Sequence, residues 1–469
     1  MEYRDFLQNA AHVVPSPRQL RWYDMEFYAF VHFTVNTYTD REWGLGDEPE
    51  SIFNPVELDC DSWVEAVKSA GMKGIILTAK HHDGFCLWPT KTTEHCVRNS
   101  PWKNGQGDVV KECAEACRRG GIQFGVYLSP WDRNAPQYGT DAYNDFYCAQ
   151  LTELLTGYGE LFEVWFDNAC GEGPSGKKQV YDFPRYIELI RKYQPGAVIY
   201  NDHGPDVRWC GNEAGTARRA EWAVVPHELC FHADKQTGAG PLAGDISWIF
   251  NWDECIGDLP VIQYSRGLAF CGAEIDMSIR PGWFYHENEE PHSLERLFNT
   301  YLNACGANTG FNLNIPPMSN GKFNDKDVAR LKELGQAIRG AFGEDKVVPC
   351  TVEKLSLTED NQLAARPMYA AAADATVADT TSTSDTQCLL RLHLPEKTKI
   401  AYVRLRENIA VGQRVEGFRI LNGGSPVYRG YTIGHNRICP VQVETDTLDI
   451  LITSARDVVE LRDITVYKA

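Results

Sequence analysis

Glu163-Val-Trp-Phe-Asp-Asn168 is a short run of strand-forming apolar residues that stops abruptly at a carboxylate. Val, Trp and Phe belong in a core, and an unpartnered Asp does not. At the C-terminal end of a strand in a β/α barrel, such a group stands where catalytic side chains collect. Asp167 is therefore a candidate nucleophile. The competing reading is a cap on the following turn, a role Asp often takes.

Outward from this run, strand-like and helical patterns alternate from about residue 27 to 342. Residues 27–35, 74–79, 122–129 and 197–201 read as strands, and residues 59–71, 107–119, 143–158 and 180–193 as helices. A β-α-β-α order calls for a parallel sheet with right-handed crossovers. Its length and repetition favour an α/β fold of the (β/α)8-like barrel type. Between 203 and 290 the pattern loosens into Gly-, Trp- and acid-rich segments, expected as long loops on the catalytic face, and a helix over 325–341 closes the unit. After residue 345 the character changes. Residues 370–386 are a low-complexity stretch of Ala, Thr, Ser and Asp. Short alternating strands follow at 388–394, 400–407, 415–421, 448–453 and 458–467, with turn signals such as Asn422-Gly-Gly-Ser425. That pattern predicts a β-sandwich of jelly-roll type. A chain of 469 residues fits two domains, here a barrel over 1–345 and a sandwich over 346–469.

Bulk properties narrow the partners. The formal charge of -18 argues against nucleic acid, which needs Lys and Arg to displace counterions, and against an anionic membrane surface. No apolar stretch approaches the roughly 20 residues of a membrane helix. A neutral substrate is the simplest inference. The fifteen cysteines are scattered without CxxC pairs, weak support for zinc. The first residues lack the apolar core of a secretory signal. With so many unpaired thiols, the expected location is the reducing cytoplasm.

Chemistry-bearing residues cluster near the strand ends: His32; Glu42-Trp43; His81-His82-Asp83-Gly84-Phe85 with Trp88; and Tyr127, Ser129, Trp131 and Asp132. Adjacent side chains of a regular strand point to opposite faces, so His81 and His82 serve one pocket only if the backbone distorts there. Gly84 permits such a turn. Zinc needs three or four convergent ligands, and H-x-H spacing is absent. Aromatic rings interleaved with hydrogen-bonding groups suit a sugar better. Glycoside cleavage normally needs two carboxyl groups in different protonation states. Glu213, in Arg208-Trp-Cys-Gly-Asn-Glu213-Ala-Gly215, is the best candidate for the protonated partner, because apolar surroundings and a nearby carboxylate both raise its pKa. It could instead pair with Arg208 or face water, and Glu221, Asp245, Glu274 and Asp276 are rivals.

The string Lys80-His-His-Asp-Gly-Phe-Cys-Leu-Trp88, with Val164-Trp-Phe-Asp167, resembles the α-L-fucosidases of glycoside hydrolase family 29. The resemblance extends through His32, Glu42-Trp43, Asp276-Met-Ser-Ile-Arg-Pro-Gly-Trp283-Phe-Tyr-His286 and Leu313-Asn-Ile-Pro-Pro317. It reaches the C-terminal segments Glu407-Asn-Ile-Ala-Val-Gly-Gln-Arg-Val-Glu416 and Thr432-Ile-Gly434. It implies Asp167 as nucleophile, Trp165 as an aromatic beside the sugar, and His32, Glu42, Trp43, His81, His82 and Tyr127 as groups holding fucose. By the same resemblance Trp283 covers the C6 methyl and Glu213 is the acid/base. Arg208 is offered as a fucose contact. The implied activity is retaining hydrolysis of terminal α-L-fucose, α-1,3/1,4-linked, on a fucosylated oligosaccharide or glycoconjugate glycan, without metal or organic cofactor. The C-terminal module resembles galactose-binding-like domains, either sugar-binding or a support for the barrel. Two other functions remain open: a metal-dependent hydrolase on the same barrel, and a carbohydrate-binding protein without catalysis.

Overall fold

The run at residue 163 is an alternation rather than a uniformly apolar strand. Val164 and Phe166 pack outward into the large core between the barrel wall and its helices. Trp165 turns inward among Tyr28, Phe30, Ile76, Tyr127, Val198 and Tyr200. With a side-chain period of two, Glu163, Trp165 and Asp167 therefore share the inner face. The same division recurs in neighbouring strands: Ile275, Met277, Phe311 and Leu313 lie in the outer core, which leaves Glu274, Asp276, Asn312 and Asn314 to the inside.

The structure is a computed structural model that describes residues 9–202, 204–230, 254, 256–357, 363–366 and 387–469. Eight strands close into a barrel in chain order: β1 (Phe27–Val31), β2 (Gly74–Lys80), β3 (Gln123–Leu128), β4 (Glu163–Trp165), β5 (Val198–Tyr200), β6 (Val207–Trp209), β7 (Gly272–Ser278) and β8 (Thr309–Asn314). Neighbours are parallel throughout, and β8 pairs with β1 to complete the ring. Helices Cys60–Ser69, Val109–Gly120, Asp141–Gly157 and Phe183–Tyr193 follow β1 to β4, and Leu294–Ala304 and Asp325–Phe342 follow β7 and β8. Capping explains several starts. Asp59 accepts from the N–H groups of Asp61 and Ser62, and Asp108 from that of Lys111, each satisfying donors the helix leaves free. No helix among the described residues separates β5 from β6, and beyond β6 the short ribbon Val224–Pro226 with Leu268–Phe270 lies outside the barrel.

Helix Pro17–Met25 closes the N-terminal end of the barrel, opposite the strand ends that carry the polar residues. Its Trp22 indole donates to the Tyr28 hydroxyl at 2.9 Å. Gly272 and Gly310 make room for it, since a Cβ on either would stand within 3.0 Å of Trp22.

The C-terminal strands form an antiparallel β-sandwich around Leu392, Val403, Leu405, Phe418, Leu448 and Ile450. The two strands expected at 388–394 and 400–407 are one, Cys388–Glu407, with register shifts near Thr398. Irregularities of this kind let a single strand continue through a local change of register. The segments Glu407–Glu416 and Thr432–Gly434 are joints. The Glu407 carboxylate accepts the N–H groups of Arg414, Val415 and Gly434. The Glu221 backbone carbonyl of the barrel accepts from Gln413 and Asn308. The low-complexity residues 370–386 lie outside the described residues.

Candidate active site

The inward groups converge at the C-terminal ends of the strands, the position that catalytic side chains occupy in barrels of this type. The floor is Trp165, stacked on Tyr200 with ring centroids 4.0 Å apart. Its indole donates to Glu274 at 2.8 Å, and Glu274 also accepts from Asn312 at 3.1 Å and from the Tyr28 hydroxyl. Beneath it, burial lifts the Glu163 carboxyl well above the carboxylate range, so that group stays protonated and avoids an unpaired charge in the interior.

Asp167 lies two residues beyond Trp165. One oxygen accepts from the Tyr127 hydroxyl at 3.0 Å and lies 3.8 Å from His82 Nε2. The other accepts from the Ala169 N–H at 2.7 Å. Asp167 thus does cap its turn, but with one oxygen, while the other faces the pocket.

His81 and His82 do serve one pocket. Their ring centroids are 4.0 Å apart, and the register of β2 against β3 shifts between Thr78 and Lys80. Gly84 follows at φ +83°, where a Cβ would meet the Asp132 carboxylate at 2.5 Å. His82 Nδ1 bonds the Ser129 hydroxyl at 2.7 Å, and His81 stacks near Tyr127. His32 Nδ1 lies 2.9 Å from Asn314 Oδ1. Burial pushes all three imidazoles down, His32 to about 3. They are neutral, able to donate and accept hydrogen bonds to hydroxyls.

Glu42 is a staple. Its oxygens accept the N–H groups of Trp283 at 2.8 Å and Phe284 at 3.1 Å, and one lies 2.7 Å from His286 Nε2. This fixes Trp283 beside His32, with ring centroids 5.1 Å apart. Trp43 stands at the rim, 58% exposed, edge-on to Trp131 and His82. Glu213, on the loop after β6, accepts from the Trp283 indole at 3.4 Å. Its carboxyl is raised, first by partial burial and then by the charges of Asp167 and Glu42, against the lowering effect of that indole. One carboxylate held by donors and a second lifted beside it form the pairing that acid-assisted displacement requires.

The rivals separate. Glu221 is buried between Arg208 and Arg218, 2.5 and 3.2 Å away. Glu274 lies under Trp165. Asp276 accepts the Trp209 indole at 2.9 Å, and burial lifts it far above the carboxylate range. Asp245 lies outside the described residues. Arg208 does not reach the pocket. In β6 Trp209 turns inward, so Arg208 points outward, where it also donates to the Trp222 carbonyl at 2.9 Å. Among the described residues, no group of three or more His, Cys, Asp or Glu is placed to hold a metal ion.

Residues 11–230 match the family model described as alpha-L-fucosidase. Alpha-L-fucosidase 1 of Arabidopsis thaliana is 38% identical over 452 residues, covering 94% of this chain and 85% of that one. The chain belongs to the α-L-fucosidase family. A Bacteroides ovatus crystal structure described as a candidate α-L-fucosidase is 40% identical with a TM-score of 0.86, covering 100% of this chain and 76% of that one. A glycoside hydrolase family 29 fucosidase from Ruminococcus gnavus, solved in complex with fucose, is 27% identical with a TM-score of 0.79, covering 98% of this chain and 95% of that one. The chain is accordingly a glycoside hydrolase.

Seen as an α-L-fucosidase family site, the pocket holds one carboxyl that the sequence reading passed over. Asp202 follows β5 and is lifted to about 7 by burial, then by the charge of Asp167, with Glu213 adding to it. The signal was available, since Ile199-Tyr-Asn-Asp202 repeats the pattern of an apolar strand ending in an acid.

Proposed function

We propose that this glycoside hydrolase is a retaining exo-α-L-fucosidase that removes α-1,3/1,4-linked fucose from oligosaccharides or glycoconjugate glycans. Asp167 acts as nucleophile and Glu213 as acid/base. The observation that carries the reading is the different partners these two carboxyls have in one pocket. Asp167 is held by Tyr127 and the Ala169 N–H, and Glu213 is raised by burial and by Asp167 itself.

In the first step Asp167 attacks the anomeric carbon as the glycosidic C–O bond breaks, and the Glu213 proton passes to the departing oxygen. In the second step Glu213 takes a proton from water, whose oxygen attacks the same carbon and releases Asp167. Each turnover restores both groups. His32, His81, His82 and Tyr127 hold the sugar hydroxyls, and Trp165 and Trp283 pack on its apolar faces. A cytoplasmic location belongs to the same reading, supported by the thirteen free cysteines among the described residues; native disulfides found by mass spectrometry would overturn it.

The test is turnover of an aryl α-L-fucoside with NMR detection of the first anomer released. Expected are α-fucose from the parent and no turnover by Asp167→Asn. First release of β-fucose, or near-normal turnover by that variant, refutes the mechanism. Cleavage of a branched Lewis-type trisaccharide but not of 2′-fucosyllactose checks the linkage.

A further inference from the structure

A second concave surface lies on the same face of the barrel, between the loops that follow β1, β7 and β8. It encloses about 600 Å³, within the range of about 300–1,000 Å³ typical of small-molecule sites. Two tyrosines form its walls, and both are fixed before any ligand arrives. Tyr38 donates to the Ser319 carbonyl at 2.6 Å and packs on Phe53. Tyr285 accepts from Asn324 at 3.0 Å, with the Arg280 guanidinium 4.8 Å from its ring centre. Asp40, Glu287, Asn288 and Asn320 add polar groups to the lining, and Met318 an apolar one.

The partition between this groove and the fucose pocket is a single polar chain. His286 bridges Glu42 and Asp40, at 2.7 and 2.5 Å. One loop serves both sides: Trp283 faces His32 and Glu213, while Tyr285, Glu287 and Asn288 face the groove. The leaving oxygen must lie beside the group that protonates it, and Glu213 is bonded to Trp283, on the loop whose next residues line the groove. Rigid aromatic walls with an amide and carboxylate rim match a hydroxyl-rich ligand. Among the described residues the lining carries no Lys or Arg; of its two acids Asp40 is held by His286, which leaves Glu287 to disfavour an anion.

We infer that this groove is a subsite for the leaving glycan and holds a neutral sugar branch in preference to a sialylated or sulfated one. The inference rests on the fucosidase reading above and extends it to the part of the substrate that departs.

The experiment compares kcat/KM on a neutral branched trisaccharide, its sulfated counterpart and an aryl α-L-fucoside, for the parent, Asn288→Trp and Glu287→Lys. Asn288→Trp fills the groove. The expected result is a loss of about tenfold or more on the neutral trisaccharide through KM, equivalent to roughly 1.4 kcal/mol, with the aryl fucoside unchanged. Glu287→Lys narrows the gap between neutral and sulfated substrates. Equal losses on trisaccharide and aryl fucoside, or no loss on either, overturn the subsite. A parent that turns over the sulfated sugar as well as the neutral one overturns the charge preference. Failure of the parent on the aryl fucoside itself condemns the fucosidase reading instead, so the two failures are distinguishable.

Discussion

Replacing Trp283 by Phe isolates the electrostatics of the proposed acid. The ring that packs beside His32 remains, while the indole N–H that reaches Glu213 from 3.4 Å is lost. A hydrogen bond to a charged group contributes about 1.5–3 kcal/mol. This one is long and Glu213 stands exposed at the mouth, so roughly a third of that, about 0.5–1 kcal/mol, is appropriate. At 1.36 kcal/mol per pH unit, the change is about 0.4–0.7 unit. The donor favours the ionised form, so its removal raises the Glu213 pKa further, and Glu213 keeps its proton to higher pH. The alkaline limb of kcat/KM on an aryl α-L-fucoside with a poor leaving group should move up by that amount. Glu42→Gln removes a like charge that raises Glu213 and should move the same limb down. If Trp283→Phe lowers the limb, or both variants shift it in one direction, Glu213 is not the titrating acid.

Two further outcomes follow from the scaffold. Lys80 is fully buried, bonded to Asp132 at 2.9 Å and Gln150 at 3.0 Å; Lys80→Met strands the Asp132 charge and should cost about 3–5 kcal/mol, read as a lower urea midpoint. An unchanged midpoint would refute the pairing. Gly215 lies two residues from Glu213 at φ +79°, where a Cβ would stand 2.7 Å from Thr300 Cγ2 and 2.9 Å from Met277 Sδ. Gly215→Ala should therefore displace the acid's loop and lower kcat most for poor leaving groups, and equal losses across leaving groups would show that the loop does not position the acid.

Much of the barrel was legible because its signals are local. Caps at Asp59 and Asp108, and apolar runs ending in polar groups, depend on neighbours a few residues apart. Arg208 misled. The family resemblance alone offered it as a fucose contact, whereas alternation along β6 turns it to the outer face, where Glu221 holds it. The strands expected at 388–394 and 400–407 are joined for a different reason, a change of register that local pattern does not show.

The chain by itself determined that Glu163, Trp165 and Asp167 share one face of a strand, because a period of two leaves no other choice. It also determined that His81 and His82 need a distorted backbone to act together. Only the tertiary structure decided that Glu213 and Asp202 lie within reach of the Asp167 charge, and that the loop of Trp283 borders two concave surfaces. A proton is held or lost according to burial and charge through space, and those arise from residues 42, 167, 213 and 283, which only the closed barrel brings within reach of one another.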